Sequence, residues 1–368
     1  MVAVLKENMP DHNFALIMAG GQGTRFWPYS TRKRPKQFLP ILGKDPLITC
    51  TFRRLERVVP RERIFVVAEE AYRAPVMEAL PGLDAANYIA EPAPRNTAPC
   101  MILANIVLSR LDPEGRVLVV PADHHINDEE TFARQMGDAL DFSERPVIVT
   151  AGIVPNHPHT GYGYIRYAPG RQAHSGETVF HPVEAFVEKP DTPTAQRYLE
   201  QGGYCWNSGM FAYKLRHFRT LLETHAPEFA RGYADLEAAP AEESARAFAA
   251  LRPMSIDYAL MEKGAEAWMM PAAFDWNDVG AWPSVFELGG PDADGNVAGA
   301  GHVLLDSRNC LVFSTEPTPV GLIGLEGVAV IQTPNGLLVG RLDQMQRVRE
   351  VLQRLEAGTT PDRELPGS

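Results

Sequence analysis

The chain predicts an α/β protein in which a mostly parallel sheet carries helices on both faces and a small β unit follows. Three observations support this. Residues 14–152 alternate short apolar runs with longer helix-like segments, the pattern of βαβ units. The first run, 14–18, opens directly into Gly20, Gly21 and Gly23, where missing Cβ atoms allow a sharp turn and expose backbone N–H groups. After Gly289-Gly290-Pro291 the helical period is lost, and short strands broken by Gly, Pro and Asn run to Gly340.

The strands are placed at 14–18, 64–68, 88–90, 117–120 and 147–151, runs too short and too β-prone for helices. Helices are expected between them, at 47–58, 72–80, 97–111 and 129–142. Thr97 followed by Pro99 marks a helix opening, with proline in the tolerated first turn. Ligands on such sheets bind outside the carboxyl ends of the strands. From 153 to 285 the pattern loosens into strands at 164–167, 183–188 and 210–213 with polar helices such as 242–251. This segment reads as a lobe continuous with the sheet. The expected division is a main domain at 1–288, with 1–12 a disordered tail, and a β domain at 296–368. A terminal helix is expected at 342–355 and a frayed tail beyond it.

Composition narrows the function. The 368 residues are 45% hydrophobic and 22% charged, ordinary for a soluble globular protein. No apolar run approaches the ~18 residues of a membrane span, and the N-terminus lacks a signal-peptide core. Cys50, Cys100, Cys205 and Cys310 lie far apart without zinc-ligand spacing, which fits a reduced, cytoplasmic setting. A net charge of −11 argues against nucleic-acid binding. An acidic protein that handles phosphate must gather its cations locally. Arg25, Arg32, Lys33, Arg34 and Lys36 crowd behind the glycine loop.

That loop is neither a dinucleotide fingerprint, since Phe26 stands where the third glycine belongs, nor a P-loop, since no Lys-Ser or Lys-Thr follows. A strand feeding a glycine loop with two trailing cations, Arg25 and Lys36, makes a cradle for a polyphosphate. Asp123, in Pro121-Ala122-Asp123-His124, follows a buried strand and would face those phosphates. Asp278, in 276–282, is the expected second acid, beside Gly280 and two tryptophans expected to wall the site. Mg²⁺ favours one or two carboxylates completed by phosphate oxygens. His124 lacks zinc partners at suitable spacing and reads as structural, and His157 and His159 read as loop residues. Glu188-Lys189-Pro190 ends a strand, and the Asn207 amide in 206–211 suits hydroxyl recognition. Gly161-Tyr162-Gly163-Tyr164 adds a glycine turn with aromatics, and Arg95-Asn96-Thr97-Ala98-Pro99 forms another loop at the sheet edge. Thr97 read alone is as well explained by helix capping.

Taken in order, G-G-x-G-T-R, P-K-Q-F-L-P, R-N-T-A-P, P-A-D-H, E-K-P and W-x-D-V-G-x-W resemble the sugar-nucleotide pyrophosphorylases. Residues 36–40 and 95–99 resemble the guanylyltransferase branch that acts on mannose 1-phosphate. The resemblance spans roughly residues 13–350. It implies a Rossmann-like nucleotidyltransferase fold with a few left-handed β-helix-like coils behind it. GTP and mannose 1-phosphate would be the substrates, and Mg²⁺ or Mn²⁺ the cofactor. On this resemblance Gly20, Gly21, Gly23, Thr24, Arg25, Lys36, Asn96, Thr97 and Asp123 bind the nucleotide. Gly163, Glu188, Lys189 and Asn207 bind the sugar phosphate, while Asp123 and Asp278 hold the metal. Arg25, Lys36 and Lys189 carry the catalytic charge.

Longer relatives fuse a cupin-like isomerase domain after the transferase, so a single activity is expected here. Two alternatives stay open: a guanylyltransferase for another hexose or heptose 1-phosphate, and a silent nucleotide-sugar sensor on the same fold. Retention of Arg25, Lys36, Asp123, Lys189 and Asp278 weighs against the sensor. The β unit carries no phosphate motif, so a structural role is expected. It would pack on its own catalytic lobe or on a second copy as a homodimer, the latter favoured.

Overall fold

The computed structural model describes residues 12–21 and 23–358. The disordered tail expected at 1–12 therefore lies, His12 apart, outside the described residues, as does the last part of the frayed tail. The first half runs β1 (Asn13–Met18), α1 (Leu47–Leu55), β2 (Ile64–Glu69), α2 (Arg73–Ala79), β3 (Tyr88–Glu91), α3 (Thr97–Leu111), β4 (Arg116–Pro121), α4 (Glu129–Phe142) and β5 (Ile148–Ile153). It continues with β6 (Tyr164–Tyr167), β7 (Ala173–Ser175), β8 (Thr178–Val187), α5 (Thr192–Gln201), β9 (Tyr204–Lys214), α6 (Leu215–His225), α7 (Pro227–Ala238), α8 (Ala241–Ala250), α9 (Ile256–Ala259), β10 (Ala267–Pro271) and α10 (Trp282–Leu288). Polar caps start several helices. Asp128 accepts from Thr131 N (3.0 Å) to open α4, and Asp191 accepts from Thr194 N (3.0 Å) to open α5.

The ten-stranded sheet has the order β3-β2-β1-β4-β9-β5-β10-β8-β6, with β7 paired to β8. β3, β2, β1 and β4 are parallel, as the βα alternation requires. The other half is mixed, because β9 enters antiparallel between β4 and β5. The strand expected at 210–213 thus begins at Tyr204 and occupies the sheet centre. Its early half also pairs with β6, through Tyr164↔Trp206, so the sheet folds back at that point. A register shift on β5 between Thr150 and Gly152 faces Asn207 to Gly209, where Gly209 takes φ 72°. The bulge re-aims this part of β9.

Each face of the sheet is covered. α3, α6, α7, α8 and α9 bury Met101, Phe218, Phe229, Phe248 and Ile256 on one side, and α1, α2 and α4 bury Phe52, Val76 and Phe132 on the other. α3 is buried along most of its length, which is why its sequence is almost wholly apolar.

The C-terminal unit contains β11 (Val297–Ala298), β12 (Val303–Leu305), β13 (Leu311–Ser314), β14 (Gly321–Ile323), β15 (Val328–Thr333), β16 (Gly336–Arg341) and α11 (Val348–Gly358). A 3₁₀ segment, Leu342–Arg347, precedes α11, so the helix expected at 342–355 starts later than its apolar pattern suggests. Val303↔Gly321, Arg308↔Glu326 and Leu311↔Ala329 are all parallel pairings 18 residues apart. Successive turns of chain therefore stack as coils, with β16 returning antiparallel to β15. The coils pack on their own chain. Leu311, Ala329, Ile331, Leu338, Met345 and Val348 share one buried cluster with Phe26, Leu39, Leu47, Val279 and Trp282.

Candidate active site

The glycine loop leaves the carboxyl end of β1 and is held from outside. Gln37, itself buried, donates Nε2 to Ala19 O (2.9 Å) and Gly21 O (3.3 Å), and Ser30 Oγ donates to Gly23 O (2.7 Å). Gly23 has φ 57°, and a Cβ there would stand 2.8 Å from Lys36 N. Only glycine permits both the turn and that approach. Gly20 stays exposed, with nothing within 4 Å of where its Cβ would be.

Lys36 ties three segments together. Its ammonium lies 3.0 Å from Asp123 Oδ2 and donates to Asp278 O (3.0 Å) and Val279 O (2.9 Å). The Asp278 turn is strained for this purpose. Val279, β-branched and fully buried, has φ 46°, held by its N–H donating to Asn277 Oδ1 (2.8 Å). Such a backbone costs about 1–3 kcal/mol and persists where surroundings over-determine it. Paired backbone bonds between His125 and Asn277 (2.9 and 3.0 Å) join the Asp123 and Asp278 loops. Tyr162 OH donates to Asp278 Oδ1 (2.9 Å), and a Cβ on Gly280 would lie 2.8 Å from Asp278 Oδ2.

His124 sits within the field of both acids. Burial nevertheless pushes its pKa down to about 4, so it is neutral near pH 7 and accepts from Trp276 Nε1 (3.1 Å). Among the described residues no group of three or more His, Cys, Asp or Glu could enclose a metal ion. The pair of oxygen-donor carboxylates, Asp123 and Asp278, suits a hard cation that takes its remaining ligands from phosphates and water.

Beside this hub lies a cavity of about 170 Å³, lined in part by Tyr162, Gly163, Glu188, Asn207, Asp257 and Trp276. A Cβ on Gly163 would meet Glu188 Oε2 at 2.6 Å, so glycine is what admits the carboxylate. The Asn207 amide is fixed on both sides. Its Nδ2 donates to Asp257 Oδ1 (3.0 Å), while its Oδ1 accepts from Thr150 Oγ1 and Gly209 N (both 3.2 Å). Burial, reinforced by the Glu188 charge, pushes Asp257 up to about 6. Lys189 follows at φ 48° with its ammonium on Glu188, at the rim and 59% exposed. Tyr162 stacks on His159 (centroids 3.8 Å) and meets Trp276 edge to face (5.3 Å). Only one of the two tryptophans expected to wall the site does so. Trp282 is fully buried in the cluster beneath the loop, donating to Trp27 O (3.3 Å).

The loop at 95–99 stands at the same sheet edge, two strands away from β1. Asn96, at φ 69°, accepts from Thr97 N (2.8 Å), and Thr97 Oγ1 accepts from Ile256 N (2.8 Å). Both side chains therefore hold the loop and dock it on α9. Glu91 at its base accepts from Arg95 N (3.3 Å), and burial pushes its pKa up to about 7.

The structure thus gathers Lys36, Asp123 and Asp278 at one point, with Gly163, Glu188 and Asn207 in the adjoining cavity. Thr24 and Arg25 lie in the turn Thr24–Phe26 just past the glycines. The charge of Arg25 acts on His159 and Tyr162 at the cavity edge. Sequence reasoning missed Asp257 and Gln37. Asp257 follows Ser255, an ordinary cap signal, and Gln37 stands inside P-K-Q-F-L-P, but neither spacing reveals its partner.

The family pattern described as nucleotidyl transferase matches residues 14–294, and that described as MannoseP isomerase/GMP-like beta-helix domain matches residues 300–355. The xanthan biosynthesis protein XanB of Xanthomonas campestris pv. campestris (strain B100) is 37% identical over 352 residues, 93% of this chain and 73% of that one. The mannose-1-phosphate guanylyltransferase of Escherichia coli (strain K12) is 35% identical over 354 residues, covering 94% and 73%. A crystal structure from Thermus thermophilus, described as a mannose-1-phosphate geranyltransferase, superposes with TM-score 0.85 at 34% identity over 94% of this chain and 99% of that one. With its sheet, glycine loop and trailing coils, the chain belongs to the nucleotidyl transferase family.

Proposed function

We propose that the protein is a mannose-1-phosphate guanylyltransferase, joining GTP and α-D-mannose 1-phosphate to give GDP-mannose and pyrophosphate. The carrying observation is the meeting of Lys36, Asp123 and the Asp278 turn beside a hydroxyl-recognising cavity. A cation hub for phosphates next to a small polar pocket suits a nucleotide and a sugar phosphate together. Relatives at 35% identity bear this activity in their names.

The sugar phosphate attacks the α-phosphorus of GTP in line, forming the new P–O bond as the bond to pyrophosphate breaks. A phosphate dianion is already a competent nucleophile, so alignment and charge stabilisation are what the protein supplies. The glycine-loop amides and Arg25 hold the departing pyrophosphate. Lys36 neutralises charge near the reacting phosphorus, and Lys189 offsets repulsion along the path of the incoming phosphate. Glu188 and Asp257 accept from sugar hydroxyls, with Asn207 fixing Asp257 in place. Asp123 and Asp278 would hold Mg²⁺ or Mn²⁺, which when bound adds positive charge at the phosphate oxygens. Guanine would be read at the 95–99 loop, through backbone groups and the donors that Asn96 and Thr97 keep free, since in each side chain only the oxygen accepts within the protein. A homodimer through the β unit also belongs to this reading. Leu305, Ile323 and Val303 remain exposed there after the coils have packed on the catalytic lobe.

The test is pyrophosphate release from each of four NTPs against a panel of sugar 1-phosphates. GTP with mannose 1-phosphate should lead. A different best pair would replace the assignment, and no release from any pair would favour a sensor.

A further inference from the structure

The C-terminal helix reaches the glycine loop. α11 packs against Thr24–Phe26, and Arg349 in its first turn donates Nε to Thr24 Oγ1 (3.2 Å). Three other arginines nearby are neutralised. Arg341 pairs with Asp343, Arg347 with Glu350, and Arg32 with Glu356 on the same helix. Among the described residues no carboxylate pairs with Arg349 or with Arg25. The two guanidiniums nonetheless lie close enough that partial burial and the Arg25 charge both push Arg349 below the usual arginine range. In a chain of net charge −11, Arg25 and an arginine anchored on the residue before it, neither with a carboxylate partner among the described residues, mark a place where an anion belongs. Their anchor, Thr24, is the residue next to the glycines.

We propose that Arg349 is a phosphate-binding residue of this active site, reaching from the C-terminal unit to grip the pyrophosphate portion of the nucleotide opposite Arg25. Paired guanidinium forks match the non-bridging oxygens of a diphosphate, and charge-assisted bonds of this kind are the strong ones. This assignment rests on reading the glycine loop as the triphosphate cradle. It gives the C-terminal unit, expected from sequence to be structural only, a hand in the chemistry.

The experiment runs the reaction backwards, from GDP-mannose and pyrophosphate, with the full chain and the variants Arg349→Gln, Arg349→Lys, Arg25→Gln and Glu356→Gln. Arg349→Gln should raise the KM for pyrophosphate about tenfold or more while that for GDP-mannose moves less than about twofold. Arg349→Lys, keeping the charge but losing the fork, should recover part of the loss. Glu356→Gln, which loosens helix docking alone, should leave both values near wild type. If Arg25→Gln raises the pyrophosphate KM and Arg349→Gln does not, the Arg349 assignment falls and the cradle reading stands. If neither moves it, the cradle reading itself is wrong. If Arg349→Gln and Glu356→Gln weaken both substrates alike, or Arg349→Gln fails to fold and Arg349→Lys behaves as wild type, Arg349 serves docking only.

Discussion

Two loops leave the same edge of one sheet and are built on opposite plans. The loop after β1 is braced from outside by Gln37 and Ser30, which leaves Gly20 open. The loop after β3 is braced from within, its own Asn96 and Thr97 holding it in shape and docking it on α9. Motif residues can therefore be equally specific and do different work. In the first loop they leave glycine backbone open at the sheet edge, and in the second they fix the loop's own shape.

Asp123→Asn and Asp278→Asn should each lower kcat about 10²-fold or more without unfolding the protein, since they lie at the ligand side of the braced hub. Near-normal turnover at saturating Mg²⁺ would remove that residue from the metal site. Lys189→Ala is expected to raise the KM for mannose 1-phosphate about tenfold and that for GTP far less, given its place at the cavity rim. Equal damage to both would put it on the other phosphate. Thr97→Val should cost about 1 kcal/mol of stability, with Thr97→Ser restoring it, because the hydroxyl bonds the Ile256 N–H. Lost preference for GTP over ATP with unchanged melting would break the contrast between the loops.

The smallest effect concerns Glu91. Burial raises its pKa to about 7, so between the ordinary carboxylate range and pH 7 the folded chain keeps a proton the unfolded chain has shed. That contribution is present at low pH and lost as pH rises through about 7. Glu91→Gln should therefore gain in melting temperature relative to wild type between pH 5 and pH 8. A gap that stays constant would show that Glu91 is not strained by its charge.

Local signals were legible. The apolar runs located β1, β2 and β4 to within a residue or two, and α3 and α4 have their expected bounds, although the cap of α3 is Asn96 and not Thr97. The bonds Lys36 makes were less so, although its site neighbours were expected, because the carbonyls of Asp278 and Val279 lie more than 240 residues ahead and are aimed by a strained turn that no spacing records. No period in the sequence marks an inserted antiparallel strand. Trp282 was misplaced for a related reason. Its indole shares a motif with Asp278, yet the start of α10 turns it into the buried cluster, where Phe313 meets it at 5.0 Å. Asp257 stayed hidden because its importance comes from burial beside Glu188 and Asn207, which no spacing records.

The carbonyl of Pro28 accepts from Thr333 Oγ1 (3.1 Å) and Asn335 Nδ2 (3.0 Å), contacts that span 305 and 307 residues. The turn carrying Arg25 is thus clasped by segments translated long after it. During vectorial synthesis the sheet can assemble long before this clasp exists, so an emerging chain carries its glycine loop without its final support. Closing a loop of that length adds little entropy per residue, but it makes the contact a late one. Competence in catalysis would then follow the synthesis of Thr333 and Asn335, as a step distinct from collapse of the core.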